Sequence, residues 1–190
     1  VEFYRIAGFS PDAIVNYLLL LGWSLDDSTE EFSRDEMIEK FSLDRVVKSP
    51  ASFDAQKLTA FQGRYFDRLS DGEKTQRCLA YLQQADVISD PPDCDDGRKL
   101  KQIVTAAGDR LVMAGDILNF DDFFTADDAL DYNQKAFAKR IVKPENAVTL
   151  LARVGDVLAD TEDFAAANLE TVIKQFCDDA GIGIGDIIVF

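Results

Sequence analysis

The sequence predicts an all-α protein, on three observations. No stretch of useful length alternates apolar and polar residues as a half-buried strand does. Helix-start signals recur, with Ser-x-x-Glu at Ser33/Glu36 and Ser70/Glu73 and a Ser10-Pro11-Asp12 start. Between these signals apolar residues return at helical spacing, which predicts roughly eight or nine helices.

The elements follow in order. Ser10, Pro11 and Asp12 open a helix that carries Ile14, Tyr17, Leu18 and Leu21 on one face and stops at Gly22. The Ser33/Glu36 box opens the next, with Phe32 and Met37 placed to staple it. Asp54 caps a helix with Leu58, Phe61 and Tyr65, and the Ser70/Glu73 box precedes "KTQRCLAYLQQADVI". Pro91 and Pro92 keep "DPPDCDDG" out of a helix interior. The next helix is read over "RKLKQIVTAAGDRLVMAG", with Leu100, Ile103, Val104, Ala107 and Leu111 on its apolar face. Three further helical segments are read at 134–142, at 145–160 after Pro144, and at 165–179, where Gly181, Gly183 and Gly185 break the last. Linkers are placed near 66–70 and 124–132.

Composition excludes several functions. The chain has 190 residues, enough for one to three compact units. It carries 35 acidic and 20 basic residues, a net charge of −15, which opposes non-specific binding to polyanions at long range. Salt screens exposed charges beyond roughly 10 Å, so a local basic face remains compatible with that balance. The longest apolar run, "YLLLLGW", is too short to span a bilayer, and no membrane role is expected. Three scattered cysteines without a C-x-x-C imply a reducing, cytoplasmic setting. There is no His, which removes His-dependent triads and His-ligated metal sites. The chain opens without Met and closes on "GDIIVF", and both ends look like cuts through a longer protein.

The motifs that suggest chemistry have plainer readings. "GIGIGD" follows a helix rather than a strand, so it reads as a helix stop, not a phosphate loop. "DPPDCDDG" fails the calcium-loop template, since setting Gly97 at position six puts Pro92 at position one. The aspartates of "FDDFFTADDALD" read as a solvated face, with no metal site expected. "RVVKSPASFDAQKL" lacks the glycines of a phosphate loop; Pro50 biases Ser49 away from helix, and Ser52 or Asp54 starts the next one. The few basic residues cluster: Lys57, Arg64 and Arg68; Arg98, Lys99 and Lys101, with Arg110 beyond; and Lys135, Lys139, Arg140 and Lys143. Nucleic-acid contacts and salt-bridge partners are equally open to them.

Residues 1–66 also carry a family pattern: Gly-Phe-x-Pro-x-Ala, Asn-Tyr-Leu, Leu-Gly-Trp-Ser, Phe-Ser, Lys-Ser-Pro-Ala, Phe-Asp, Lys-Leu and Gly-x-Tyr, in that order. This resembles the region after the catalytic domain of bacterial glutamyl-tRNA synthetases, the class I glutamate–tRNA ligases. "LDYNQKAFAKRIVKPENAVTLLARV" resembles the same family more loosely. The resemblance implies a stem-contact helical domain (1–68), a first anticodon-binding helical bundle (69–130) and a second (131–190), truncated at its C-terminus. It implies tRNA(Glu) as partner and a monomer. Glutamate, ATP and Mg²⁺ would belong to the full-length enzyme, through a catalytic domain absent here, so no catalytic residue and no cofactor is expected in this chain. Arg110 corresponds to the Arg that reads the third anticodon base in discriminating members. Arg45, Lys48, Lys57, Arg64, Arg68, Lys135, Lys139, Arg140 and Lys143 would contact the tRNA backbone, with salt bridges to nearby acids as the equal alternative. Phe120, Phe123 and Phe124 are of the type that stacks on bases, with burial as the competing role. An acidic protein-interaction module without tRNA binding, and a Mg²⁺ enzyme built on the aspartates, are the competing functions.

Overall fold

The structure is a computed structural model that describes residues 1–48 and 50–187; Ser49, where the Pro50 argument falls, and residues 188–190 lie outside the described residues. Among the described residues there are nine α-helices and no strand, only an isolated antiparallel bridge between Trp23 and Val46. None of these helices is long and apolar enough to cross a membrane. The chain forms two compact units, Val1–Asp128 and Ala129–Phe190.

The first unit begins with α1 (Glu2–Ala7), ended by Gly8 in a left-handed conformation (φ 93°). A Cβ at Gly8 would meet the Tyr81 hydroxyl at 2.9 Å, so the position needs glycine twice over. Helix α2 (Pro11–Leu20) starts where expected, but the Ser10 side chain makes no cap bond. The Ser10 N–H donates instead to Gln62 Oε1 at 2.7 Å. The buried face of α2 is Ala13, Asn16 and Tyr17, while Leu18 is half exposed. Ile14 and Leu21 pack, partly buried, with Tyr17 in the same core as expected, so Leu18 alone departs from the predicted face. The helix also stops before Gly22.

Helix α3 (Arg34–Lys40) carries the complete expected box: Glu36 N–H donates to Ser33 Oγ, and Ser33 N–H donates to Glu36. Phe32 and Met37 pack with Trp23 in one small core. Asp54 starts α4 (Ala55–Asp67) by accepting from the Gln56 and Lys57 N–H groups, and Leu58 and Phe61 pack with Tyr17. The second box opens α5 (Asp71–Gln84).

Helix α6 runs over Cys94–Ala107, not over 98–115. Asp93 caps it by accepting from Asp96 N–H at 2.7 Å, so half of the acidic run forms its first turn. Gly108 (φ 53°, ψ −123°) ends it in a conformation that L residues avoid. All five residues of the expected apolar face are buried, and they join Phe66, Cys78, Leu82 and Ile117 in the largest core. Burial there pushes the Cys78 thiol up to about 12, so it is inert. A 3₁₀ run over Ala114–Phe124 packs back on α5 and α6.

The second unit holds α7 (Gln134–Phe137), which widens into a π-helical turn over Ala138–Val142, then α8 (Ala147–Ala159) and α9 (Ala166–Ala180). Its core is Leu150, Val154 and Phe176. Gly181 ends α9 in the left-handed region (φ 66°), and Asp186 then accepts the Gly183 N–H at 3.0 Å. "GIGIGD" is therefore a helix stop and turn.

Candidate nucleic-acid interface

Part of the α6 surface that escapes the core forms one wall of an open cleft. Lys99, Gln102 and Ala106 follow one another at spacings of three and four, which puts them along a single line of α6. Arg110 lies just past the end of α6, in the 3₁₀ turn Gly108–Arg110, so Gly108 sets its position. The opposing wall comes from the 3₁₀ run. Asp116 anchors the start of that run by accepting from the Val112 and Met113 N–H groups at 2.8 and 2.9 Å. Phe120 departs from helical geometry (φ −120°, ψ 16°) within it.

These two walls enclose a cleft of about 370 Å³, lined by Lys99, Gln102, Ala106, Arg110, Phe120 and Phe123 among others. The small Ala106 and Ala107 leave its floor open. Phe120 and Phe124 pack against the core, whereas Phe123 is 62% exposed. Lys99 Nζ sits 5.5 Å from the centroid of the Phe124 ring, a cation–π distance. Arg110, Lys99 and Lys101 are exposed and form no ion pair among the described residues. The cleft offers the exposed Phe123 ring flanked by Lys99 and Arg110. That combination accepts a flat, electron-rich ring carrying negative charge beside it.

The other expected basic residues divide into two groups. Lys57 binds Glu30 at 2.8 Å; Arg64 binds Glu31 at 3.1 Å and Glu30 at 3.7 Å; Arg68 binds Glu31. The pairing holds the Glu30 carboxyl below its usual range, mainly through the Lys57 hydrogen bond. Arg64 and Arg68 also lie over the rings of Phe61 and Tyr65. Arg45 donates to the Leu25 carbonyl. In the second unit Lys135, Lys139, Arg140 and Lys143 are exposed and form no ion pair among the described residues. Arg140 donates to the Gly185 carbonyl at 3.4 Å. Lys48 is also exposed without an ion pair among the described residues.

Two residues that position this region were not singled out from the sequence. Asn16, fully buried, donates to the Glu30 carbonyl and accepts from Phe32 N–H and the Tyr65 hydroxyl, each at 2.8 Å. It thereby fixes the segment that presents Glu30 and Glu31. Gln62 joins Ser10 N–H to the Val112 carbonyl. Their signal was position: each lies three or four residues from buried apolar residues of its helix. Among the described residues no group of three or more metal-ligating side chains converges.

Residues 73–189, more than half of the chain, match a family described as an anticodon binding domain. The chain belongs to this anticodon-binding family. The match includes α6, the cleft and the second unit. Residues 1–60 match a second family, described as the catalytic domain of class I tRNA synthetases (E and Q). The glutamate–tRNA ligase of Herpetosiphon aurantiacus is 32% identical over 186 residues, covering 98% of this chain and 37% of that protein. That of Roseiflexus castenholzii is 33% identical over 180 residues, covering 95% of this chain and 35% of that protein. The chain thus spans little more than a third of the length of these relatives. The crystal structure of a glutamate tRNA ligase from Elizabethkingia meningosepticum, in complex with its amino acid, superposes with a TM-score of 0.76 at 29% identity. It covers 98% of this chain and 35% of that one.

Proposed function

We propose that this chain is the tRNA-binding portion of a glutamate–tRNA ligase, with α6 and the 3₁₀ run forming an anticodon-reading cleft. The observation that carries the reading is the meeting of Arg110, Lys99 and the exposed Phe123 around one cleft inside the anticodon-binding match. A guanidinium at the cleft edge can stack on or make paired hydrogen bonds to an unstacked base, which an ammonium does less well. Arg110 is assigned the third anticodon base. Residues 1–68 are assigned to stem contact, 69–130 and 131–190 to the two anticodon-binding bundles.

Phosphate contacts set register without reading sequence. Lys48, Lys135, Lys139, Arg140 and Lys143 suit that role in the conformation seen. Lys57, Arg64 and Arg68 already hold Glu30 and Glu31, and Arg45 holds a carbonyl, so a phosphate would have to displace these partners. The whole protein would activate glutamate with ATP and Mg²⁺ and transfer it to tRNA(Glu), as a cytoplasmic monomer. This chain supplies position and identity, and it has no His.

The test is Arg110→Gln in the full-length enzyme. The expected result is weaker discrimination between glutamate and glutamine tRNAs, with the rate of glutamate activation retained. Unchanged discrimination would overturn the assignment of Arg110.

A further inference from the structure

Val112 follows Arg110 by two residues and lies between the two 3₁₀ segments, outside either. Both of its backbone polar groups are nonetheless held by side chains. Its N–H donates to Asp116 Oδ2 at 2.8 Å, and its carbonyl accepts from Gln62 Nε2 at 3.4 Å. Asp116 belongs to the 3₁₀ run that walls the cleft, whereas Gln62 lies 50 residues away, in α4. Among the described residues this is the only hydrogen bond between residues 1–68 and the segment 108–124 that carries Arg110 and Phe123.

The position calls for glutamine. Gln62 is 1% exposed, beside the buried Leu58, Phe61 and Phe66 of its own helix. Its Oε1 accepts from Ser10 N–H at 2.7 Å. A backbone N–H needs the amide oxygen and a carbonyl needs the amide NH₂, so the two partners together fix one orientation of the side chain. Methionine fills a similar space and can serve neither partner well; a carboxylate can serve only the N–H. Gly63 brings α4 against the same residue, where an added Cβ would lie 3.4 Å from Val112 Cγ1. Leu111, directly after Arg110, is buried in the core. Apolar burial holds this stretch down without direction, whereas the hydrogen bonds on Val112 give it one.

We infer that Gln62 is a positioning residue for base reading: it holds the Val112 carbonyl, and through it the backbone that places the Arg110 guanidinium at the cleft. The inference rests on the assignment of Arg110 above. It adds a residue that touches no base and sits in a helix assigned to stem contact. Paired hydrogen bonds from a guanidinium depend on its placement, so slack in this segment costs base discrimination more than general attraction.

The experiment titrates the chain with a glutamate anticodon stem-loop and with one changed at the third anticodon base, in the parent, Gln62→Met, Arg110→Gln and the double variant. Gln62→Met should lower the ratio of the two affinities about 3-fold or more. In the Arg110→Gln background it should lower the ratio no further, because it acts through that arginine. A purely structural role would lower the urea midpoint of Gln62→Met and leave the ratio intact; that result overturns the inference while the Arg110 reading stands. Gln62→Glu is the second variant: its carboxylate keeps the acceptor for Ser10 N–H but offers Val112 no donor, and it should lose discrimination as well. If neither Gln62 variant folds, Gln62 supports the fold rather than the arginine, and the inference falls. If Arg110→Gln itself leaves the ratio unchanged, the Arg110 reading falls and the inference with it.

Discussion

Asn16 illustrates how single residues control the first unit. Its amide takes three partners in the interior, two of them backbone groups of the 30–32 segment. Replacing it with Leu would leave the Phe32 N–H and the Glu30 carbonyl buried without partners. Each such group costs about 1–3 kcal/mol. Asn16→Leu should therefore destabilise the first unit by about 2 kcal/mol or more, read as a lower midpoint in urea unfolding. An unchanged midpoint would show that the amide is dispensable. The exposed ion pairs of Glu30 and Glu31 are a weaker case, since each such pair contributes about 0–1 kcal/mol. Legibility at this scale follows the same divide. Arg110 could be named through the family resemblance, Lys99 as part of a basic cluster, and the phenylalanines by residue type. Asn16 and Gln62 could not, because nothing in a polar side chain says that it turns inward. Only their place beside Ala13, Tyr17, Leu58 and Phe61 marks them.

The helices were the most legible level, wherever a local signal acts alone. Both Ser-x-x-Glu boxes form in full, since each is closed by side chains within three residues of its start. The apolar face of α6 is buried as read, whereas its ends are shifted by four residues at the start and by eight at the finish. Asp93 begins the helix directly after the prolines, and the unusual backbone at Gly108 ends it, a conformation that the sequence pattern did not display. The π-helical turn at 138–142 was also unread; an i→i+4 spacing argument for Lys135 and Lys139 presumes regular α geometry. The boxes carry a pH prediction. The Ser33 backbone and hydroxyl hold the Glu36 carboxyl below its usual value of 4.5, and the Ser70 hydroxyl and backbone do the same for Glu73. A carboxylate whose folded pKa is depressed stabilises the fold above the ordinary carboxylate range, and that contribution is lost as pH falls through the folded value. Glu73→Gln should therefore lower stability at pH 7 and flatten its decline between about pH 5 and pH 3, measured by thermal melting. A parallel decline in parent and variant would contradict the account of the second box.

At the scale of the whole molecule, charge and function pull in different directions. A net charge of −15 repels nucleic acid at a distance, so recognition must be local and dominated by contact. The α6 cleft, where Lys99 and Arg110 flank the exposed Phe123, differs locally from that average surface. Three of the expected contacts, Lys57, Arg64 and Arg68, are meanwhile paired with Glu30 and Glu31. Affinity should consequently depend on base contacts more than on total charge. The most direct test of the central claim is a fluorescence-anisotropy titration of this chain with a glutamate anticodon stem-loop, and with the same stem-loop changed only at the third anticodon base. The account predicts saturable binding that weakens on the base change by about 1–3 kcal/mol, and a difference that largely disappears in Arg110→Gln. Equal binding of the two stem-loops by the parent chain, or no binding of either, would contradict it.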